Sequence, residues 1–585
     1  MLCKSILRIS KGRYNQLRYY NRSLRMTDSN MNNNNNNDSN DKYIEIKEGT
    51  SSMQYDKSEA VFYNKVQVFN RDISIQVIKH FAKVYEDEKQ ERYQKKLAKY
   101  EHDISKKKGN NNNNNDNNKD KKNHDDDIEY NRPPFMPSEG ISILDALAAT
   151  GLRSIRYIKE IPGVRQLTIN DLDPKATATA KKNCIHNNVD ISKVTIHTGD
   201  AVMLMYNHRD AAQGVESQQF DVIDLDPYGT ASPFLDSAVQ AVTDGGLLCV
   251  TCTDMPVLAG NYPDVCFAKY GSMPLKAKYC HEMSLRTLLH AIDSAANKYK
   301  RYIVPWVSLS VDFYIRVFVR VFESPLEVKK SSLKRIMVYQ STQCPSFYIH
   351  RLGQITGTNK EGNPINYGAV PYQGPSKCEE TNGNLKIGGP FWGDPLHSQE
   401  VVDELLKTVE NLMKDENDGN IVPPPATGKR IIGILTSISE ELKDVPFHYS
   451  LPDLAACVHI VTPPMIDFKS ALHNLGYRSS QFHHNPDAVK TDAPPKVVWD
   501  VIRALAKITP PLGSSRKKTS EAAKAILQKE LTTEVDFTIP TSFGERKDVA
   551  RFPMNPESNW GPKARAGKTK RGEKNEDDNG PQKKK

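Results

Sequence analysis

The chain has 585 residues, of which 38% are apolar and 26% charged, and its formal net charge at pH 7 is +9. This length is sufficient for two or three globular domains. The sequence lacks the run of about 18 to 20 apolar residues that a membrane-spanning helix needs, so we expect no membrane association. Its nine cysteines are scattered along the chain, which indicates a reducing compartment rather than a secreted disulfide framework.

The two ends of the chain are basic. The first 27 residues contain seven Lys and Arg and no acid, a composition typical of a mitochondrial presequence or of a disordered basic tail. Met26 lies at the end of this segment, and a translation start there would omit it. The last 23 residues contain nine Lys and Arg against four acids, as in nuclear-localisation signals, nucleic-acid-binding tails or simple solvated tails. We expect a dual localisation, nuclear and mitochondrial.

Composition and periodicity also predict the domain organisation. Asparagine tracts at 32–37 and 110–118 are predicted to be disordered. Between them, helical periodicity begins at about Asp72. We predict a disordered basic and Asn-rich segment at 1–42, an α/β domain at 43–325 with a disordered insertion at about 101–132, a smaller α+β domain at 326–510, and a largely disordered tail at 511–585.

From residue 141 strand-like and helix-like segments alternate regularly. The strand-like segments are "ISILDAL", "QLTIND", "KVTIHTGD", "FDVIDLD" and "GGLLCVTCTD". A long helix at 279–298 and two further strands, "YIVPWVSLSV" and "FYIRVFVRVF", follow. Such alternation predicts a mostly parallel sheet with helices on both faces, and ligands bind such sheets at the carboxyl ends of the strands. Cys249 and Cys252 lie within one strand and are predicted to be core residues.

The ends of the first three strands indicate the ligand. The first turn contains a single glycine, Gly151, so the glycine-rich fingerprint of dinucleotide-binding proteins is absent. Asp145, Asp171 and Asp200 end three successive strands. Asp171 is placed to accept hydrogen bonds from ribose hydroxyls, and Asp200 with the Ala201 amide to bind an adenine edge. Any one of these acids alone could be a helix N-cap or a surface turn. Together with the single-glycine turn they favour an S-adenosylmethionine site.

The fourth strand ends in "DLDPYG", residues 224–229. Asp226, Pro227 and Tyr228 are similar to the D/N-P-P-Y/F signature of enzymes that methylate exocyclic amines of bases, although the second proline is absent and D-P-Y alone is a common turn. Asp226 could accept the proton of an aryl amine, and Tyr228 could stack on an extruded base. Asp224 shares a strand face with Asp226 and could assist it.

Six blocks in order resemble the tRNA (guanine-26-N2)-dimethyltransferase family over roughly residues 43 to 505. They are "VFYNKVQVFNRDISI", "LDALAATGLRSIRY", "FDVIDLDPYGTASPFLDSA", "YGSMPLKAKYCHEMSLRTLL", "GGPFWGDPLH" and "YRSSQFHHNPDAVKTDAP". The resemblance implies a class I S-adenosylmethionine-dependent methyltransferase domain with a Rossmann-like sheet, and a family-specific C-terminal tRNA-binding domain. It also implies transfer of two methyl groups from S-adenosylmethionine to N2 of guanine 26 in tRNA.

The resemblance also implies roles for individual residues. Arg71 and Arg153, with Asp171, Asp200 and Ala201, would bind S-adenosylmethionine, and two guanidinium groups suit the methionine carboxylate. Asp226 would be catalytic. The guanine would lie between two aromatic side chains, those of Phe62 and Tyr228.

The sequence departs from the family at a structural zinc site, which members can build from two C-x-x-C pairs. Here the corresponding stretches are "STQC" and "CEET". Ser341 and Thr381 stand where cysteines would be expected, and Cys344 and Cys378 remain. Two thiolates make a poor tetrahedral site, so we expect no zinc.

Two alternatives remain open from the sequence. The chain could be a tRNA-binding folding chaperone with little catalysis, or an amine methyltransferase acting on another nucleic acid. The intact "DPYG" and strand-end acids argue against the first, and the family-like C-terminal region argues against the second. We expect tRNA as the partner and infer no obligate protein partner.

Overall fold

The structure of the protein is a computed structural model, and it describes residues 43–56, 63–111, 139–209, 218–414, 423–511, 520–541, 543 and 549–553. The predicted N-terminal segment, most of the predicted insertion, Phe62 and the end of the C-terminal tail lie outside these residues. The chain forms two compact units. One comprises 1–46, 54–65 and 555–585, and the other comprises 47–53 and 66–554.

The described part of the first unit is short, namely residues 43–46, 54–56 and 63–65. It contains parts of two strands, β1 (Tyr43–Glu48) and β2 (Ser51–Asp56). The remaining residues of these strands belong to the second unit, which contains every other element described below.

The second unit is built on a seven-stranded sheet. Its strands are β3 (Ile141–Asp145), β4 (Val164–Asp171), β5 (Val194–Thr198), β6 (Phe220–Leu225), β7 (Val242–Cys252), β8 (Arg301–Val311) and β9 (Tyr314–Glu323). Their order is β5-β4-β3-β6-β7-β9-β8. Strands β3 to β7 pair in parallel, and β9 is antiparallel to both β7 and β8. The predicted mostly parallel α/β fold is confirmed.

Helices cover this sheet on both faces. They are α1 (Val68–Asn111), α2 (Leu152–Glu160), α3 (Pro174–His186), α4 (Ala201–Asn207), α5 (Leu235–Ala241), α6 (Met255–Leu258), α7 (Pro263–Tyr270) and α8 (Cys280–Asn297). Every residue of β3 and of β6 is buried, because both strands have layers above and below them. Most residues of both strands are therefore apolar, and the buried polar residues Ser142 and Asp221 hydrogen-bond each other.

Helix α1 differs from the predicted element at both ends. It begins at Val68 rather than Asp72, because the polar residues Asn70 and Ser74 interrupt the apolar periodicity although both are fully buried. It continues to Asn111 and thus covers the first residues of the predicted insertion. Its N-terminal turns lie beside the carboxyl ends of the central strands, so α1 supplies residues to the candidate site.

The C-terminal part is α+β, as predicted. It contains strands β10 (Arg335–Ser341), β11 (Phe347–Arg351), β12 (Gly353–Thr358), β13 (Pro364–Ala369), β14 (Leu385–Trp392), β15 (Tyr449–Ser450), β16 (Ser479–Phe482) and β17 (Asn485–Thr491). They form sheets of order β11-β10-β14 and β15-β17-β16 and a β12-β13 pair. The helices are α9 (Pro325–Lys329), α10 (Gln399–Lys414), α11 (Gly428–Ser439), α12 (Leu451–Cys457), α13 (Met465–Asn474), α14 (Pro495–Ile508) and α15 (Glu521–Leu527).

Two helices that follow residue 326 share a core with the seven-stranded sheet. Val402 and Leu405 of α10 and Leu435 of α11 are buried in one cluster with Phe69 of α1 and Val307 of β8. The division of the chain at 325/326 stays a prediction. None of the helices in the described part of the chain combines the length and apolar character that crossing a bilayer requires.

Candidate active site

The turn between β3 and α2 is held in place by backbone conformation and by one carboxylate. Gly151 has φ +77°, and a Cβ there would lie 2.9 Å from the Cβ of Ala180, so this position requires glycine. The Asp171 carboxylate at the end of β4 accepts hydrogen bonds from the backbone N–H groups of Ala149 and Asp173, both at 2.9 Å. Asp171 is half-buried. It therefore orders the turn in which a cofactor is expected.

Asp145 and Asp200 have different surroundings. Asp145 is 2% exposed and accepts a 2.6 Å hydrogen bond from the Ser154 hydroxyl, and burial, followed by the neighbouring Asp224, raises its pKa to about 7. Asp200 is exposed and caps α4 by accepting a 2.8 Å hydrogen bond from the Val202 N–H. Ala201 is buried at the start of the same helix. Asp200 is thus an N-cap residue at a strand end.

A buried ion-pair cluster lies behind the end of β6. Asp224 is fully buried and accepts two hydrogen bonds from Arg316 of β9, from Nη1 to Oδ1 at 2.7 Å and from Nη2 to Oδ2 at 2.9 Å. The Tyr157 hydroxyl also donates to Asp224, and Arg153 lies 3.4 Å from its Oδ2. Burial opposes ionisation of Asp224, but Arg316 and Arg153 outweigh it and hold its pKa below the usual value.

Asp226 lies at the open edge of this cluster. Its side chain is 20% exposed, and its Oδ2 accepts a hydrogen bond from Nη2 of Arg153. Arg153 therefore bridges Asp224 and Asp226. Asp145 is largely protonated below pH 7 because its pKa is raised to about 7. The positive charges of Arg153 and Arg316 then balance the negative charges of Asp224 and Asp226.

The turn that follows Asp226 presents an aromatic ring to solvent. Pro227 is buried, whereas Tyr228 is 62% exposed. Gly229 has φ +93°, its N–H donates to the Thr253 hydroxyl at 2.8 Å, and its carbonyl accepts from the Thr253 N–H at 2.8 Å. The turn is thereby fixed to the end of β7. An exposed ring on a fixed turn can stack on a planar ligand.

Arg71 pairs with an acid that the sequence analysis did not single out. Its Nε and Nη2 donate to the two oxygens of Glu48, each at 2.5 Å. Arg156 contacts the same carboxylate at 2.8 Å. Burial opposes ionisation of Glu48, but Arg71 and Arg156 hold its pKa below the usual value. The Nε and Nη2 groups of Arg71, which were expected to bind the methionine carboxylate of S-adenosylmethionine, thus bind the Glu48 carboxylate in this structure.

Several residues that build the site were not predicted from the sequence, namely Glu48, Asn70, Ser74, Tyr157 and Arg316. Arg316 donates to the Ser74 hydroxyl at 2.9 Å and to the Thr251 hydroxyl at 2.8 Å. Arg153 lies 3.4 Å from Asn70 Oδ1. One signal was available, because an arginine within the apolar strand "FYIRVFVRVF" must find a buried partner.

The four positions at which the resemblance implied zinc ligands lie near one another, but their atoms do not suit zinc. The Sγ atoms of Cys344 and Cys378 are 3.5 Å apart, and the Ser341 Oγ is 3.5 Å from the Cys344 Sγ. The Thr381 hydroxyl hydrogen-bonds the Cys378 sulfur. Two sulfurs and two neutral hydroxyls lack the four Cys or His ligands of a structural zinc site.

A second group with metal-ligand chemistry is His397, Glu441 and His483, whose ligand atoms lie within 4.8 Å of one another. Both ring nitrogens of His483 are engaged, because Nε2 accepts from the Ser310 N–H at 3.0 Å and Nδ1 donates to Glu441 at 2.7 Å. His397 Nδ1 accepts from the Ser308 N–H at 3.2 Å. This group therefore joins β8 to the C-terminal strands through protein hydrogen bonds.

The strand order, the antiparallel β9 beside β7, and acidic residues at the carboxyl ends of β3, β4 and β6 define a class I methyltransferase. Comparison of structures agrees with this class. "Complex structure of Trm1 from Pyrococcus horikoshii with S-adenosyl-L-Methionine" superposes with a TM-score of 0.57 at 24% identity, covering 78% of this chain and 99% of that chain. This likeness shows the fold.

Sequence comparison shows the family. The model of the family "N2,N2-dimethylguanosine tRNA methyltransferase" matches residues 41–503. A mouse protein named tRNA (guanine(26)-N(2))-dimethyltransferase is 40% identical over 545 residues, which cover 89% of this chain and 76% of the mouse protein. A Saccharomyces cerevisiae protein of the same name, with the suffix "mitochondrial", is 35% identical over 89% of this chain and 92% of its own length.

The chain belongs to the N2,N2-dimethylguanosine tRNA methyltransferase family. The resemblance stated from sequence is confirmed. So are the predicted class of enzyme, a tRNA methyltransferase that uses S-adenosylmethionine, and the predicted product, N2,N2-dimethylguanosine.

Proposed function

We propose that this protein methylates N2 of guanine 26 in tRNA twice, with Asp226 as the proton acceptor. The observation that supports this role is the position of Asp226 within the buried cluster. Asp145 and Asp224 are buried, whereas the Asp226 side chain is 20% exposed. Tyr228, two residues further along the chain, has an exposed ring. Asp226 is therefore the acid of this cluster that a base can reach.

The cofactor residues are proposed from their positions around the first turn. Asp171 would bind the ribose, since its oxygens can accept further hydrogen bonds besides the two backbone N–H groups that they hold. Asp200 and Ala201 would meet the adenine edge, and Gly151 lets the turn pass close to the ligand. Asp145 would support the site from behind through Ser154. This donor set fits S-adenosylmethionine, which has no phosphate for a glycine-rich loop to bind.

Arg153 would change partners when the site is filled. In the structure its Nη2 contacts Asp226. A methionine carboxylate can compete for this guanidinium, because both are carboxylates and a bidentate contact is favourable. Asp224 keeps its contacts to Arg316 and Tyr157 after such an exchange. Asp226 is then free to accept a proton.

Bound S-adenosylmethionine would supply an electrophilic methyl group on its sulfonium sulfur. Asp226 would hold the guanine N2 in line with that methyl group. Asp226 would accept the proton that N2 loses when N2 takes the methyl group from the sulfonium sulfur. The second transfer requires the monomethylated amine to turn its remaining proton toward Asp226. Tyr228 would stack on one face of the guanine. Phe62, which was expected from the sequence on the other face, lies outside the residues that the structure describes.

In vitro methylation with purified protein tests these assignments. We expect a tRNA transcript with guanine 26 to gain two methyl groups, and a matched transcript with adenine 26 to gain none. Asp226→Ala should lower kcat by at least about 100-fold while the protein still binds tRNA. Tyr228→Phe should retain activity and Tyr228→Ala should lose it, because stacking needs the ring and not the hydroxyl. Full activity of Asp226→Ala would overturn the catalytic assignment.

The cellular context is also proposed. We infer targeting to mitochondria through the first 27 residues and to the nucleus through the basic C-terminal tail. The name of the Saccharomyces cerevisiae relative supports the mitochondrial part. We further propose residues 326–510 as the tRNA-binding region. Imaging of a fusion in which Met26 is replaced tests the choice of start, and an unchanged distribution would count against it.

A further inference from the structure

Two turns of the C-terminal part face each other through a pair of cysteines. The first turn follows β10 and is closed by the Ser341 N–H donating to the Ser346 carbonyl at 2.9 Å. The second begins at Cys378, whose N–H donates to the Gly383 carbonyl at 2.8 Å. The sulfur atoms of Cys344 and Cys378 are 3.5 Å apart, with 7% and 2% of these residues exposed.

These turns connect different layers of the C-terminal part. The Ser346 hydroxyl accepts a 2.7 Å hydrogen bond from the indole N–H of Trp499 in α14. Glu380, in the second turn, accepts a 2.9 Å hydrogen bond from Arg503 of the same helix. A covalent link between the turns would therefore brace the β11-β10-β14 sheet against α14. The atoms present at these turns, two sulfurs and two neutral hydroxyls, do not suit a structural zinc ion.

We propose that Cys344 and Cys378 form a reversible disulfide that links these two turns in place of a metal. The link needs the sulfurs to approach from 3.5 Å to about 2.05 Å, a change within reach of side-chain rotation. The closed loop contains residues 345–377, which include β11, β12 and β13. A disulfide across a loop of this length stabilises the native state by restricting the unfolded chain.

The surroundings favour oxidation at this pair. The sulfurs of Cys344 and Cys378 hydrogen-bond each other at 3.5 Å. This contact, with the Ser341 and Thr381 hydroxyls, lowers the pKa of Cys378, and the same contact raises the pKa of Cys344. The Cys378 thiolate would attack a peroxide oxygen, giving a sulfenic acid and, after protonation, water. Cys344 then displaces the second oxygen as water and forms the S–S bond. The balance is two thiols and one hydrogen peroxide to one disulfide and two waters.

Other cysteines offer no comparable site in the part of the chain that the structure describes. Burial raises the pKa of each of six thiols, those of Cys184, Cys249, Cys252, Cys266, Cys280 and Cys457. Raised thiol pKa values slow oxidation because the thiolate is the nucleophile. Oxidation at low peroxide should therefore be selective for the Cys344–Cys378 pair.

The test uses the full-length reduced protein, treated with one equivalent of hydrogen peroxide per chain. We expect a tryptic peptide pair joined through Cys344 and Cys378, two hydrogens lighter than the reduced pair, and a melting temperature several degrees higher that dithiothreitol reverses. Cys344→Ser and Cys378→Ser should abolish the peroxide-induced shift, and the matched control Cys457→Ser should retain it. The internal comparison of each variant with and without peroxide removes any effect of the substitution on folding.

Three results would overturn the proposal. The two thiols could stay open to alkylation after peroxide, or the shift in melting temperature could persist in Cys344→Ser. Alternatively, elemental analysis of the untreated protein could find one zinc per chain that Cys344→Ser loses, which would mean that the pair binds metal. Each result differs from loss of methylation activity, so this proposal and the proposed function fail independently.

Discussion

Removing Arg316 should destabilise the protein strongly, because it leaves a carboxylate buried with too few partners. Arg316 and Asp224 are both fully buried. In Arg316→Met, Asp224 loses two hydrogen bonds of 2.7 and 2.9 Å, and the hydroxyls of Thr251 and Ser74 each lose one. Breaking a buried ion pair by removing one partner costs about 3–5 kcal/mol. We expect a loss of that size in the free energy of unfolding at pH 7.

The loss should depend on pH. Arg316 and Arg153 lower the pKa of Asp224 in the native state, so the native state binds fewer protons than the unfolded state when the pH falls below the ordinary Asp value of about 4. The stabilisation by this pair is complete above that pH and is lost as the pH falls through the lowered pKa. The difference between wild type and Arg316→Met should therefore be largest near neutrality and shrink in acid.

Urea denaturation of four variants measures the effect. Asp224→Asn/Arg316→Met should cost less than the sum of the single variants, with a coupling energy of about 1–3 kcal/mol. Arg478→Met is the matched control, since Arg478 also forms two contacts of 2.7 Å to carboxylates but its side chain is 53% exposed, and it should cost less than about 1 kcal/mol. A loss below about 1 kcal/mol for Arg316→Met, or strict additivity of the single variants, would show that the Asp224–Arg316 pair does not stabilise the fold in this way.

Three further predictions concern the turn, the buried acid and the substrate. Gly151→Ala should lower the stability by about 1–3 kcal/mol, measured by denaturation, because φ is +77° and the added Cβ would meet Ala180. Burial raises the pKa of Asp145 to about 7 in the native state, whereas an unfolded Asp has a pKa of about 4. Between about pH 4 and pH 7 the native state therefore binds more protons than the unfolded state, and the stability of the wild type falls as the pH rises. Asp145→Asn does not titrate, so its melting temperature relative to wild type should rise from pH 5 to pH 8; a constant difference would contradict the assignment. Affinity for tRNA should fall at least tenfold between about 50 and 200 mM salt in a filter-binding assay, and a flat response would argue against phosphate contacts.

The strands and the turns at their ends were predictable from sequence because their signals are local. The strand-like segments that end at Asp145, Asp171 and Leu225 correspond to β3, β4 and β6, and Gly151 has the positive φ that its turn requires. The long helix predicted at 279–298 is α8, which spans Cys280–Asn297.

The ion pairs were not predictable because their partners are distant in sequence. Asp224 and Arg316 are 92 residues apart, and their contact depends on the pairing of β6, β7 and β9. Arg71 and Glu48 are closer, but nothing in either residue indicates the other. Helix α1 begins at Val68, four residues before the predicted start at Asp72. The prediction was wrong because Asn70 is a buried polar residue that contacts Arg153, and the sequence does not indicate this contact.

Mass spectrometry of nucleosides from total tRNA of cells that lack this protein tests both the reaction and the role of Asp226. We expect that N2,N2-dimethylguanosine is lost, that wild type restores it, and that Asp226→Ala, present at the same level, does not. Persistence of dimethylguanosine without the protein would contradict the proposed reaction, and full restoration by Asp226→Ala would contradict the role of this carboxylate.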